Sequence, residues 1–266
     1  MKSLLKIATA VLLVATAYIS FSDTASASQH APATKIMWGK TELKTGQIGK
    51  ITVSQNTPLI KIGSDGKQQT VRMLKKGEEY RVYTYKSNFN GLYGVGAGSY
   101  VNKDTKIKYE TPSKRKLELL SYKSLFEQAA KVKTETFSGN YTKEELLDLF
   151  DSHFTDHYTK QYMSNIMWNK DINGVRHYYI PGNDTIFSHP MFIENINWMG
   201  NYTIEKYEVP NVDPNNGKGT VEKVKISEEH KGYESAGTVK PHLYSVVLLK
   251  TNDGTYKIDE IDKKYY

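Results

Sequence analysis

Between residues 50 and 109 a turn signal interrupts the chain about every ten residues, which leaves room for short strands and none for long helices. Residues 50–54 alternate, with Ile51 and Val53 on one face. Residues 59–62 follow Pro58, and Gly63-Ser64-Asp65-Gly66 reads as a hairpin turn because Asp and Gly tolerate positive φ. Residues 70–74 return from it, and Lys76-Gly77-Glu78 turns again. Residues 79–85 then read as one strand, with Tyr80, Val82 and Thr84 on one face and Arg81, Tyr83 and Tyr85 on the other. After Asn90-Gly91, residues 92–95 and 106–109 complete roughly six or seven short strands, the pattern of a small all-β barrel.

Charge divides the chain the same way. Residues 28–116 carry 17 Lys and Arg against 6 Asp and Glu, a net +11. Residues 117–266 carry 17 against 22, a net −5, and the first 27 residues supply the remaining +1 of the overall +7. A basic surface of that density attracts polyanions by steering and counterion release, unless it is spent docking on the acidic half.

The compartment follows from the start of the chain. Lys2 and Lys6 precede an apolar run over 7–19, and Ala25-Ser26-Ala27 has the small-residue pattern of a cleavage site. This predicts a signal peptide over 1–27, a polar linker over 28–34 and a secreted protein with no membrane span after cleavage. Nucleic acid is then in the wrong compartment, and the nearest polyanions are wall polymers and anionic lipid head groups. The absence of cysteine excludes disulfides and thiolate chemistry, so packed cores alone must hold the fold.

Pro112 marks a boundary. Leu117, Leu120, Phe126, Ala129 and Ala130 recur at helical spacing behind it, and Thr142 with Glu145 forms a capping box. Leu146, Leu147, Phe150, Phe154 and Tyr158 would line one helix running to about Met167. After Asn173-Gly174 the period becomes two, with strands predicted over 175–180, 202–209, 220–229, 243–250 and 256–261 and a hairpin at Asn252-Asp253-Gly254. Helices followed by a four- or five-stranded antiparallel sheet make this an α+β domain over 114–266, behind a basic all-β domain over 35–113.

Two resemblances follow from these residues. WGKTELKTGQIGK at 38–50, VRMLKKGEEYRVY at 71–83, YGVGAGSYV at 93–101 and KYETPS at 108–113 resemble the SH3-like modules of exported cell-wall proteins of Gram-positive bacilli. Such modules accompany amidases, peptidases and S-layer-type proteins, which implies wall targeting for residues 35–113 and leaves any activity to the partner domain. The final hairpin and the element order of 114–266 resemble NTF2-like or cystatin-like folds.

Motifs for chemistry are sparse. His153 and His157 share a helical face and are the only zinc candidates read from spacing, but no Glu follows the first His, and hydrogen-bonded histidines at the core edge fit better. Gly94, Gly96 and Gly98 lack the spacing of a dinucleotide loop and suit a bulged strand connection. No G-x-S-x-G motif or flanking carboxylate pair appears, so no catalytic residue and no cofactor is assigned. What remains is an aromatic–basic set in the first domain: Trp38, Arg81, Tyr83, Tyr85, Phe89, Tyr93 and Tyr100. Flat rings stack on sugars while Arg and Lys hold carboxylates and phosphates, so this set would suit an anionic wall polymer or peptidoglycan. Tyr83 and Tyr85 would equally serve to cover the second domain. The expectation is a non-enzymatic, wall-associated protein whose α+β domain binds a protein or small ligand. A regulator or inhibitor of wall hydrolases, or a hydrolase with its site in 114–266, are the alternatives.

Overall fold

The computed structural model describes residues 35–137, 139–181, 191, 193–194, 196–198, 200–211, 219–231, 233–234 and 238–266. The leader and linker predicted over 1–34 lie outside them. The described chain is mostly β, 46% strand, with three helices, and belongs to the α+β class.

A small hairpin comes first, β1 (Met37–Trp38) and β2 (Thr41–Glu42). Then β3 (Gly49–Val53), β4 (Thr57–Ile62), β5 (Gln68–Leu74), β6 (Glu79–Val82), β7 (Thr84–Lys86), β8 (Leu92–Gly96), β9 (Ser99–Asn102) and β10 (Ile107–Glu110) form two antiparallel sheets. Their strand orders are β10-β3-β6 and β5-β4-β9-β8-β7. Ile51, Val53, Leu74, Val82, Tyr93 and Val101, drawn from both sheets, form one buried cluster. Each such side chain contributes about 1.5–3 kcal/mol by leaving water. The β4–β5 turn is the expected one: Gly66 has φ +76°, and Asp65 Oδ1 accepts from Lys67 N at 3.1 Å. The β8–β9 turn likewise carries Gly96, Ala97 and Gly98 at positive φ, with a register shift between Gly94 and Gly96.

Residues 79–85 differ from the expected single strand. The chain leaves the three-stranded sheet after Val82, and Tyr83 N already donates to Gly94 O of the other sheet at 2.9 Å. Alternation of side chains survives a strand that turns a corner between sheets, so the sequence pattern does not register the break.

The second half opens with α1 (Lys114–Glu135), capped by Ser113 behind Pro112. Its buried stripe is Leu119, Tyr122, Phe126, Ala129 and Lys133, while Leu117 is exposed. The buried stripe differs from the expected one because Tyr122 and Lys133, whose polar ends mask their long apolar stems, complete the three-four spacing. α2 (Lys143–Asp151) has the expected capping box, with Glu145 N donating to Thr142 Oγ1 at 3.2 Å and Thr142 N donating to Glu145 Oε2 at 2.8 Å.

The expected continuous helix then breaks. Thr155 caps a separate α3 (Asp156–Asn165). The break is pinned from far along the chain: Thr155 N donates to Ile258 O at 2.9 Å, Ile258 N donates to His153 O at 2.8 Å, and Thr155 Oγ1 donates to Asp259 Oδ1 at 2.7 Å. His153 therefore sits in the turn and His157 on α3, not on one helical face.

β11 (Trp168–Ile172), which was not anticipated, pairs with β12 (Val175–Tyr179) across Asn173-Gly174. Then β13 (Tyr202–Pro210), β14 (Thr220–His230), the short pair β15 (Tyr233–Glu234) and β16 (Thr238–Val239), β17 (His242–Lys250) and β18 (Tyr256–Tyr265) follow. β13-β14-β17-β18 is one antiparallel sheet, and Gly254 at φ +83° closes the expected last turn. Val224, Ile226, Tyr244, Val246, Leu248 and Ile258 of this sheet share a core with the buried faces of the three helices. Ile36 and Leu43, which flank the first hairpin, are buried in that same core and not in the smaller one.

Candidate functional site

Two places concentrate chemistry, one in each core's neighbourhood. The first is the loop over residues 87–91 with the strands around it. Phe89 and Asn90 both have left-handed backbones, φ 56° and 63°, and Phe89 is 47% exposed. A bulky aromatic residue in that conformation is costly, of order 1 kcal/mol or more, and such strain collects at binding sites. Among the described residues Phe89 has no ring partner. Gly91 follows at φ 107°, where a Cβ would lie 2.8 Å from the Tyr85 hydroxyl and 3.1 Å from Lys103 Cβ. Glycine there lets both side chains close on the loop.

Lysines sit on both faces of this edge. Tyr85 lies opposite Tyr93 in the β7–β8 register, their rings 5.5 Å apart, and Lys103 Nζ stands 5.5 Å from the Tyr85 ring. On the other face Tyr100 lies opposite Gly94, with Lys86 Nζ 4.7 Å from its ring. Tyr85 is 47% exposed, and Lys86 and Lys103 are exposed with no carboxylate partner among the described residues. Tyr93 is buried and stacks on Tyr109 at 4.6 Å, so it is a support and not a contact surface.

The other expected residues lie elsewhere. Arg81 donates through Nε to Glu42 O at 2.5 Å and ties the first hairpin to β6. Trp38 packs on the larger core beneath Lys50, whose ammonium is 5.5 Å from the ring. Lys50 is itself buried and paired with Glu79 at 3.1 Å. Burial opposes the Glu79 charge, but the Lys40 N–H and the Lys50 ammonium hold its pKa below the ordinary value. Tyr83 lies beside Gly96, at the far end of β8 from the loop. Of the seven aromatic–basic candidates, Tyr85, Phe89, Tyr93 and Tyr100 gather at one edge and Trp38, Arg81 and Tyr83 do not. Lys86 and Lys103 were missed, because nothing in a lone lysine shows that its strand neighbour is an aromatic ring.

The second place is a polar patch at one end of the four-stranded sheet. Two registers build it: Glu228↔Tyr244↔Lys263 and His230↔His242↔Tyr265, rows two residues apart along the strands, so that their side chains share a face. Glu194 covers them. Its Oε2 is 2.7 Å from His230 Nδ1 and 3.0 Å from His242 Nε2, and its Oε1 is 2.6 Å from Lys263 Nζ. Its backbone N–H donates to the Tyr244 hydroxyl at 3.0 Å. Glu228 Oε2 stands 3.1 Å from His230 Nε2 and accepts from Asn197 N at 2.9 Å.

Burial would push the Glu194 pKa up, but His230 and Lys263 outweigh it and bring it down to about 2. Burial likewise opposes a charge on His230, yet its bonds to Glu194 and Glu228 raise it to about 9. Sequence reasoning missed this group entirely. Its members are up to 69 positions apart, counting from Glu194 to Lys263, and only the β14–β17 register brings the two histidines together.

Of the two histidines expected to be hydrogen-bonded at the core edge, His153 is so placed and His157 is not. His153 bonds to Ser152 Oγ at 2.6 Å and Gln128 Oε1 at 2.9 Å, and burial lowers its pKa, while His157 is exposed on α3. Asp151 pairs with Lys257 at 2.9 Å. A solvent-open groove of 420 Å³ between α2, α3 and the β11–β12 hairpin includes Tyr178 but none of Asp151, His153 or His157. Among the described residues no helix is long and apolar enough to cross a membrane.

No protein-family model, curated protein or solved structure matches this chain.

Proposed function

We propose that this is an exported, non-enzymatic protein of a Gram-positive cell wall that holds anionic wall polymer at the edge formed by loop 87–91. In this reading residues 35–113 are a basic SH3-like barrel and residues 114–266 an NTF2-like or cystatin-like partner domain for a protein or small ligand. The observation that carries it is the exposed aromatic–basic edge: Phe89 strained and without a ring partner among the described residues, Tyr85 open to solvent, and Lys86 and Lys103 on either face. A ring presents a stacking surface to a sugar, and the two ammonium groups match phosphate or carboxylate spaced along a chain. The net +11 of residues 28–116 supplies the long-range attraction.

The test uses the chain from Ser28 onward, mixed with purified wall and with the same wall stripped of phosphate polymer by hydrofluoric acid. Retention on the intact wall at low salt, lost on the stripped wall and weakened by Phe89→Ala, supports the reading. Equal retention on both walls contradicts it, as does stronger binding to anionic lipid vesicles than to wall.

A further inference from the structure

We propose that Glu194, His230 and His242 form a binding site for a divalent transition metal of the zinc class. This does not rest on the wall-binding reading, since it concerns a different part of the molecule.

The donor atoms already converge: one carboxylate oxygen and two imidazole nitrogens lie within 4.8 Å of one another. The outer side of each ligand is also arranged. His242 Nδ1 is 2.9 Å from Lys240 O, and His230 Nε2 is 3.1 Å from Glu228 Oε2. With those outer nitrogens as N–H donors, loss of the inner protons leaves the lone pairs of Nε2 on His242 and Nδ1 on His230 directed at Glu194 Oε2, where the ion would sit. A carboxylate or carbonyl on the distal nitrogen is the arrangement that orients metal-bound histidines and raises their basicity. Lys263 holds Oε1 and so presents Oε2 to the same point.

Two imidazoles and a carboxylate favour zinc and its neighbours over calcium or magnesium, which take oxygen ligands. Three protein ligands leave a position for water, and access exists: the side chains of Glu194 and His230 are 18% and 21% exposed while His242 is buried. The carboxylate now sits 2.7 and 3.0 Å from the two nitrogens. Ligands across a tetrahedral centre stand about 3.4 Å apart, so the Glu194 side chain withdraws by about half an ångström as the ion enters. The ion takes the place of protons shared between the rings and Oε2, and these leave to solvent.

The experiment uses chelator-treated protein from Ser28 onward, with zinc itself as the probe and binding read by native mass spectrometry and a chromophoric-chelator competition. One zinc per chain is expected. Glu194→Gln and His230→Gln should weaken binding about a hundredfold or more, and Glu228→Gln, which among the three ligands touches only the outer nitrogen of His230, about ten- to a hundredfold. His153→Gln and His157→Gln should bind as the parent does. Parent-like binding by Glu194→Gln and His230→Gln, or no stoichiometric zinc on folded parent protein, overturns the site. If those variants lose their circular dichroism, cobalt added to the parent decides: visible bands of a low-symmetry nitrogen–oxygen site support it, and the spectrum of aqueous cobalt refutes it.

Discussion

Gly49 and Tyr109 make a prediction that can be worked through from contact distances. A Cβ built on Gly49 would lie 2.3 Å from Cε2 of Tyr109 and 2.5 Å from both Cζ and the hydroxyl. Gly49 needs no left-handed backbone, so Gly49→Ala acts through this clash alone. The obstructing atoms are the far end of a side chain, so the ring swings away and the strands stay paired. What is lost is the Tyr109–Tyr93 stack, 4.6 Å and nearly parallel at 7°, and the bond from the Tyr109 hydroxyl to Ile48 O at 3.0 Å. The stack is worth about 0.5–1.5 kcal/mol and the hydrogen bond about the same, so the substitution should cost about 1–3 kcal/mol. Tyr109→Ala removes the same two interactions by another route. The two changes should therefore be strongly non-additive, with Gly49→Ala costing almost nothing once Tyr109 is gone. Urea unfolding of the four proteins of this cycle, followed by tyrosine fluorescence, measures the coupling. Additive losses would refute the account, since they would mean that the alanine strains the β3 backbone instead of displacing the ring. Because Tyr93 supports Tyr85, Gly49→Ala should also weaken wall retention by several-fold.

Thr155→Ala should cost about 1–2 kcal/mol, more than a cap alone, because the same hydroxyl caps α3 and donates to Asp259; hydrogen exchange should speed up at Tyr158 N and Thr159 N, and unchanged rates there would contradict the pinned break. In chelator-containing buffer the stability should show a plateau between pH 4.5 and pH 6.5, the ordinary values of Glu194 and His230. His230, raised to about 9, contributes fully below pH 6.5 and loses that contribution as pH rises through 9. Glu194, lowered to about 2, contributes above pH 4.5 and loses it as pH falls toward 2. After discounting for partial exposure the His230 arm is worth about 2 kcal/mol, and it should vanish in His230→Gln; thermal melts across pH check both.

Local signals were legible where the physics is local. The Thr142–Glu145 box, the Gly63–Gly66 and Asn252–Gly254 turns and all five of the expected late strands depend on neighbours in the chain, and the structure places them as expected. The failures share a different cause. The end of α2 depends on Ile258 and Asp259, more than a hundred positions away from Thr155. The corner at Tyr83 depends on which sheet Gly94 belongs to. Tyr93 and Tyr100 do lie on neighbouring strands, but register decides their faces: Tyr93 is opposite Val101 and Tyr100 opposite Gly94, so one points into the core and the other away. The Glu194 group is the extreme case, because its two histidines meet only through the pairing of β14 with β17. Residue types were informative there, but the distances that make them a site are set by tertiary structure.

The central claim is that lysines and an aromatic ring at one edge hold a polyanion, and the salt dependence of wall binding tests it most directly. Affinity of the parent for phosphate-bearing wall should fall linearly on a log–log plot against salt. The double substitution Lys86→Gln with Lys103→Gln should reduce the slope by about one to two, in proportion to the two charges removed. Phe89→Ala should lower affinity about tenfold at every salt concentration and leave the slope alone, because a stacking contact releases no counterions. A slope unchanged by the lysine pair, with Phe89→Ala binding as tightly as the parent, would place the polymer elsewhere on the molecule and contradict the account.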